Sequence, residues 1–141
     1  MNIPETINKL TYRIIGVCMQ VHSGLGPGFP EDYYQRALEY EFQAQDIPFE
    51  PQKPVQVLYK GVQVGLNYLD FVIDESVVLE IKSVRNLDEI HHAQVIKYLA
   101  ATDYSIALLV NFGGSSLEHE RILPPKKIQE HKKKQQNEQQ I

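Results

Sequence analysis

Three residues in the segment YLDFVIDESVVLEIKSV, residues 68–84, have types and spacing that suit phosphodiester chemistry. The apolar residues of this segment alternate, which predicts two antiparallel strands joined by a three-residue turn at 74–76. That register places Asp70 directly across from Glu80, with Lys82 on the same side of the sheet. Facing residues lie about 4.5–5.5 Å apart at Cβ. The two carboxylates would therefore repel each other unless a positive charge lay between them.

A divalent cation is the simplest positive charge for this position. Oxygen donors alone favour a hard ion, Mg²⁺ or Mn²⁺, over zinc. Such an ion would polarise a phosphodiester and lower the pKa of a bound water. Lys82 could orient that water or stabilise the negative charge of the transition state. The alternative is an exposed cluster of acids and a lysine with no chemical role, which is ordinary on the solvent side of a hairpin.

The same register predicts that the apolar side chains of the hairpin share the opposite face. It pairs Ile73 with Val77, and its apolar face consists of Leu69, Phe71, Ile73, Val77, Leu79 and Ile81.

Helical spacing of apolar residues predicts two helices before this hairpin and one after it. The first covers about residues 5–22 and ends at the glycines and proline of 24–28. The second begins at Pro30 and reaches about Gln45. The third covers 87–101, and within it Gln94 and Tyr98 lie one turn apart and point the same way.

Period-two patterns predict four strands between the second and third helices. The first two form a hairpin over residues 55–64 with a turn at Lys60-Gly61, and prolines before it indicate an edge strand. The next two are the hairpin strands 69–73 and 77–83. After the third helix, residues 105–112 are apolar at both odd and even positions, which predicts a strand covered on both faces. Residues 117–122 are predicted to form a short last strand. The pattern indicates an α/β or α+β domain.

Length and charge predict one domain followed by a tail. The chain has 141 residues, and its composition is that of a globular protein. Residues 126–141 hold five Lys against two Glu, a charge of +3, which leaves −7 for residues 1–125 out of a total of −4. We expect residues 1–125 to fold and the basic tail to be disordered. An acidic body argues against tight nonspecific binding of nucleic acid, although the tail could act as a loose tether.

The cellular location expected from the sequence is the cytoplasm. The only cysteine, Cys18, excludes an internal disulfide framework. No apolar run approaches the ~20 residues that span a bilayer, so no membrane partner is expected. The first ten residues lack the layout of a signal peptide.

Two motifs resemble known nucleases. The spacing of Asp70, Glu80 and Lys82 resembles the D-x(n)-E-x-K core of the PD-(D/E)xK nuclease superfamily. Residues 22–34, HSGLGPGFPEDYY, are similar to the H-x-x-L-G-P-G-x-x-E-x-x-Y signature of the GxxExxY family. Further matches are Gly65, Gln94 with Tyr98, and the NFG of residues 111–113. The resemblance covers about residues 7–123, although position 68 is Tyr where relatives often carry Arg.

The resemblance implies a fold, a site and an activity. The fold would be a restriction-endonuclease-like αβββαβ core, with a central mixed sheet of four to five strands flanked by helices. The protein would be a nuclease that uses Mg²⁺ or Mn²⁺. Its substrate would be nucleic acid, with DNA expected in preference to RNA. A homodimer or a protein partner is a further expectation, and the alternative is a non-enzymatic module that binds nucleic acid or protein. The implied metal ligands are Asp70, Glu80, the Ile81 carbonyl and Glu31; the implied catalytic residues are Asp70, Glu80, Lys82, Glu31, Gln94 and Tyr98.

Other residues have weaker chemical interpretations. Tyr33, Tyr34, Tyr40 and Tyr98 are candidates for stacking on bases, although tyrosines at helical spacing are more typical of a core. Among the histidines, we expect His22 to brace the glycine loop of 24–28 and His91 to neighbour the site.

Overall fold

The structure is a computed structural model that describes residues 3–126. Two helices come first, three strands follow, and a third helix precedes the last two strands. The elements are α1 (Glu5–Leu25), α2 (Glu31–Ala44), β1 (Phe49–Tyr59), β2 (Val62–Ile73), β3 (Val77–Lys82), α3 (Glu89–Ala100), β4 (Ala107–Asn111) and β5 (Glu118–Ile122).

The five strands form one mixed sheet in the order β1-β2-β3-β4-β5. Neighbouring strands are antiparallel except β3 and β4, which are parallel. A parallel pair needs a crossover, and α3 provides it. This arrangement confirms the predicted α+β fold with its central mixed sheet, and it places the proline-rich β1 at the sheet edge as expected.

Strand β2 is longer than the sequence predicts. The predicted strands 62–64 and 69–73 are one continuous strand, so three strands precede α3, and the prediction of four was wrong. β2 pairs with β1 through Gly65, which lies opposite Val57, with an irregularity between Val57 and Leu58. The apolar–polar alternation of the sequence continues through Val64 and Leu66 and is compatible with a continuous strand, although most side chains of residues 62–68 are exposed.

The sheet carries a hydrophobic cluster on each face. One lies beneath α1 and α2 and includes Ile14, Leu38 and Phe71, and the other lies beneath α3 and includes Val95 and Leu99. Strand β4 contributes to both clusters: Leu108 and Val110 belong to the first, and Ala107 and Leu109 to the second. This confirms that the apolar strand of 105–112 is covered on both faces.

Leu69 does not lie on the predicted face of the hairpin. Phe71, Ile73, Val77, Leu79 and Ile81 pack under α1 and α2 as expected, whereas Leu69 packs in the α3 cluster. The β1–β2 pairing is interrupted where Gln52, with φ of 50°, stands opposite Asp70. The strand therefore changes face at Asp70, which simple alternation cannot predict.

Two sequence predictions concern residues at or beyond the end of the described chain. The predicted tail of 126–141 lies outside the described residues except for Lys126, and the domain limit at residue 125 stays a prediction. Within residues 3–126, none of the helices is both long and apolar enough to cross a bilayer.

Candidate active site

Strands β2 and β3 separate where the two predicted metal ligands face each other. The ladder runs in the predicted register from the Ile73–Val77 pair to the Phe71–Leu79 pair, which is the last. Beyond it, side chains replace backbone pairing: Glu80 Oε1 accepts the N–H of Asp70 at 3.0 Å, and Asp70 Oδ2 accepts the N–H of Ile81 at 2.8 Å. Each carboxylate is thus held by the other strand's backbone.

The electrostatics of this pair are unfavourable for two free anions. Glu80 is only 3% exposed. Burial, followed by the charge of Asp70, raises the pKa of Glu80 from its ordinary value of 4.5 to about 9. Without a cation, the pair therefore retains a proton at neutral pH.

Lys82 lies at the end of β3 on the same side as this pair. Its Nζ donates a hydrogen bond to Gln94 Oε1 at 3.0 Å. Burial, then the charges of Glu80 and Asp70, raise the pKa of Tyr98. The structure therefore brings Gln94 and Tyr98 of α3 toward the residues of the hairpin.

The start of α3 is capped by its own side chains. Asp88 Oδ1 accepts the N–H groups of Ile90 and His91, and the ring of His91 accepts the N–H of Asp88. This capping box fixes the first turn of the helix that carries Gln94. His91 serves this cap, and its place next to the site residues stays a prediction.

The loop between α1 and α2 is held by the tyrosine of the glycine-rich motif. Gly26 and Gly28 have φ of 82° and 88°, which favours glycine. The Tyr34 hydroxyl donates to Gly26 O at 2.6 Å and accepts the N–H of Phe29 at 3.2 Å. The Tyr34 ring is fully buried and stacks on Phe112, with centroids 4.6 Å apart. Tyr34 thus ties the loop to the core.

Glu31 begins α2 directly after this loop. It is exposed overall, yet partial desolvation and then the charge of Asp70 raise its pKa, while Lys82 lowers it. Glu31 therefore lies within electrostatic reach of Asp70 and Lys82.

Asn111 is a supporting residue that the sequence analysis treated only as part of a motif match. It is fully buried. Its Oδ1 accepts the N–H groups of Val84 and Gly113, and its Nδ2 donates to Val84 O and Glu118 Oε1. These bonds fix the chain two residues after Lys82. The sequence did contain a signal for this role, since Asn111 is a polar residue at the end of an apolar strand and glycines follow it.

His22 contacts two glycine loops. Its Nε2 lies 2.9 Å from Gly114 O, in the loop after β4, and its carbonyl accepts the N–H of Gly26 at 2.8 Å. The contact with residues 24–28 is therefore made by the His22 backbone, while the side chain reaches the other loop. Gly113 itself must be glycine, since a Cβ there would lie 2.0 Å from Val84 O.

The donor set fits a magnesium-like ion. One oxygen of each carboxylate accepts a backbone N–H. Within the described part of the chain, the other oxygens, Asp70 Oδ1 and Glu80 Oε2, accept no backbone N–H. Residues 3–126 contain no group of three or more His, Cys, Asp or Glu that could hold a metal. Mg²⁺ is commonly bound by one or two carboxylates and several waters, so two acids suffice. Glu31 and the Ile81 carbonyl as further ligands stay predictions.

Comparison with protein families assigns the chain to a class of nucleases. The family model described as PD-(D/E)XK nuclease superfamily matches residues 8–122. The chain belongs to the PD-(D/E)XK nuclease superfamily. Nucleases of this superfamily generally use divalent metals and act on nucleic acid.

One solved structure supports the same fold. It is described as the crystal structure of SSO0001 and superposes with a TM-score of 0.50 at 21% identity. The match covers 67% of this chain and 50% of that chain, so this chain spans about half the length of that structure. Comparison with curated proteins finds no significant match.

Proposed function

We propose that this chain is a divalent-metal-dependent nuclease that hydrolyses phosphodiester bonds. The observation that carries the proposal is the interlocked pair of Asp70 and Glu80 beside Lys82. Two acids this close, one of them buried, destabilise a fold unless a cation compensates them. If the pair had a purely structural role, two neutral side chains at these positions would stabilise the fold more.

Each residue then has a distinct task. Asp70 and Glu80 would hold Mg²⁺ or Mn²⁺, which when bound supplies Lewis-acid activation of the phosphodiester and acidifies water. Lys82 has three donors and uses one on Gln94. Its remaining N–H groups can orient the attacking water and stabilise negative charge on a phosphate oxygen as the P–O bond breaks.

The supporting residues position that lysine and the substrate. Gln94 holds the Lys82 ammonium, and Tyr98 presents a phenol whose raised pKa keeps it protonated as a hydrogen-bond donor. Glu31 is a third acid, outside the Asp70–Glu80 pair but within electrostatic reach of Asp70. Its coupling to Asp70 and Lys82 supports a role as a further ligand of the ion.

We also propose that the chain belongs to the GxxExxY family. The support is the role of the motif residues: Tyr34 ties down the loop at Gly26 and Phe29, and Glu31, which begins the helix after this loop, interacts electrostatically with Asp70. DNA in preference to RNA is the proposed substrate, and the cytoplasm is the proposed compartment, which suits the free and buried thiol of Cys18.

The proposal is tested by incubating labelled DNA and RNA with Mg²⁺ or Mn²⁺. Asp70→Asn and Lys82→Ala should each lower kcat by roughly 100-fold or more, since both remove electrostatic stabilisation of the reacting centre. Matched controls are Asp74→Asn in the turn of the same hairpin and Lys97→Ala on α3, both exposed. Cleavage that survives undiminished in both site variants would remove these residues from the mechanism.

A second candidate is a binding module that keeps the nuclease scaffold without chemistry. The charge of −7 over residues 1–125 and the absence of a three-acid cluster within residues 3–126 favour it. Titration of Mn²⁺ by calorimetry separates the two. Binding that Asp70→Asn abolishes supports the nuclease, and a wild-type chain that binds no metal supports the module.

A further inference from the structure

A polar pocket lies at the edge of the sheet where β3 and β4 end. These two strands are parallel, and their last paired residues are Lys82 and Asn111. The two loops that follow them line a cavity of about 550 Å³, which we call the loop pocket. Its lining residues are Arg85, Asn86, the four residues 113–116 and Glu118. The loop pocket therefore lies at the same edge of the sheet as the lysine of the candidate active site.

The two loops are fixed to each other at the end of β3. The Phe112 N–H donates to Lys82 O at 2.8 Å, and Asn111 bonds to both the N–H and the carbonyl of Val84. A Cβ on Gly114 would lie 3.6 Å from the Arg85 carbonyl oxygen, so the second loop passes directly beside Arg85. The walls of the loop pocket are thus held by the chain itself, and a ligand need not order them.

Arg85 brings an unpaired cation to this pocket. Of the four arginines of the chain, the other three, Arg13, Arg36 and Arg121, each contact another residue through the guanidinium. Within residues 3–126, the exposed Arg85 guanidinium has neither a hydrogen bond nor an ion pair. Its planar set of N–H donors matches two oxygens of a phosphate or a carboxylate.

The loop of residues 113–116 adds further donors. The hydroxyls of Ser115 and Ser116 and the N–H groups of residues 114–116 have no acceptor within the described part of the chain. Glu118 is the acid of the loop pocket, and its Oε1 already accepts the Leu87 N–H and the Asn111 amide. Free donors therefore outnumber free acceptors, which favours an anionic ligand with several oxygens.

We propose that the loop pocket binds a backbone phosphate of the substrate strand, a few nucleotides from the bond that is cleaved. The inference rests on the proposed nuclease function and adds a subsite to it. Arg85 follows Lys82 by three residues, so their Cα atoms are at most about 11 Å apart. Successive phosphates of one strand rise by about 3.4 Å along the axis. A strand that lies across Lys82 can therefore reach the loop pocket with a nearby phosphate.

Such a subsite suits the charge of this chain. Residues 1–125 carry −7, and Gln94 already accepts a hydrogen bond from Lys82. The body thus lacks the broad basic surface that holds a polyanion without regard to position. A single guanidinium with hydroxyl and N–H donors binds one phosphate at one place. Contacts of this kind fix the register of the strand and so determine which phosphodiester lies at the paired acids.

The first test measures binding separately from cleavage. A short, labelled single strand of DNA is titrated by fluorescence anisotropy with the full chain in the Lys82→Ala background with Mn²⁺. Arg85→Gln should weaken binding roughly ten-fold, since a charge-assisted hydrogen bond is lost. It should also lower the slope of log K against log salt concentration by about 0.7, the contribution of one phosphate contact.

The matched control is Arg36→Gln, which removes a guanidinium that already lies beside Asp32. Its effects on affinity and on the salt slope should be several-fold smaller. Equal effects of Arg85→Gln and Arg36→Gln would show that net charge alone matters, and the subsite would be overturned. Ser115→Ala combined with Ser116→Ala should weaken binding with no change in the salt slope, because no charge is removed.

The second test locates the phosphate. One phosphate of the strand at a time is replaced with an uncharged methylphosphonate, and binding is measured again. At one position the replacement should weaken binding as much as Arg85→Gln does, and it should cause no further loss in the Arg85→Gln chain. Losses that add to that of Arg85→Gln at every position would rule out the contact.

The remaining arms distinguish this inference from the proposed function. Inorganic phosphate that binds through Arg85, with strand binding independent of Arg85, would mean a free-anion site and overturn the subsite. In the chain with native Lys82, Arg85→Gln should raise KM with kcat unchanged. Robust cleavage with an unchanged KM would retain the nuclease and overturn the subsite. A wild-type chain that cleaves nothing, yet binds strands through Arg85, would refute the nuclease and retain the phosphate site.

Discussion

At the scale of single residues, the site contains an energetic conflict between Asp70 and Glu80. The fold holds their carboxylates by reciprocal backbone hydrogen bonds, and burial leaves Glu80 with little solvent to stabilise its charge. Protonation relieves the conflict in the metal-free chain, and a cation would relieve it in the loaded one. Because of this conflict, the pH dependence of the free energy of unfolding reports on the protonation state of the pair.

We predict that the metal-free chain becomes less stable as the pH rises. The pKa of Glu80 is about 9 in the folded chain against an ordinary 4.5, so between these values the folded state binds more protons than the unfolded state. The free energy of unfolding must therefore fall with increasing pH across this window. Glu80→Gln keeps an oxygen for the Asp70 N–H and carries no charge, so it should flatten the dependence and raise the neutral-pH Tm.

The measurement is thermal unfolding in the presence of a chelator at several pH values between 4.5 and 9. Glu75→Gln removes an exposed carboxylate from the turn of the same hairpin and should keep the wild-type slope. A Glu80→Gln chain with the wild-type slope would show that the pair does not carry this proton.

At the scale of elements, the α1–α2 loop determines where α2 begins and therefore where Glu31 lies. The loop has no regular backbone pairing of its own. A single phenol bridges its two ends, at Gly26 O and at Phe29 N–H. The spacing of the glycines and Tyr34 in the motif therefore fixes the conformation of the loop. Through the loop it also fixes the position of Glu31.

Tyr34→Phe should destabilise the chain by about 1–3 kcal/mol, because two partly buried backbone groups lose their partner while the ring keeps its stack on Phe112. Urea unfolding measures the loss. Activity should fall as well, since Glu31 depends on this loop.

Tyr40→Phe, an exposed residue of the same helix, is the control and should change neither property. A Tyr34→Phe chain as stable as the wild type would mean that other contacts hold the loop.

At the scale of the whole molecule, charge is divided unevenly along the chain. Residues 1–125 carry −7 and residues 126–141 carry +3. A polyanion is repelled by the first part and attracted by the second, and salt screens both effects. The tail is therefore expected to influence encounter with nucleic acid and not the chemical step.

Replacing the five tail lysines with Gln should raise KM for nucleic acid about three- to ten-fold at low salt, with kcat unchanged, because counterion release contributes to binding. The effect should disappear at high salt. The substituted residues are Lys126, Lys127, Lys132, Lys133 and Lys134.

Steady-state kinetics at several salt concentrations measure this effect. Glu130→Gln with Glu138→Gln makes the tail more positive and should shift KM in the opposite direction. A KM that is equally insensitive to both sets of changes would exclude the tail as a tether.

The periodicity of residues along the chain determined most of the helices and strands and part of the candidate site. Alternation in residues 68–84 placed Asp70 across from Glu80 and Lys82 on their side, and helical spacing placed Gln94 with Tyr98, because both periodicities depend only on near neighbours. The tertiary structure alone decided that β2 changes face at Asp70, that Asn111 holds the chain after Lys82, and that the Tyr34 ring stacks on Phe112. These features depend on how distant segments pack, and the spacing of residues within one segment carries no record of that packing.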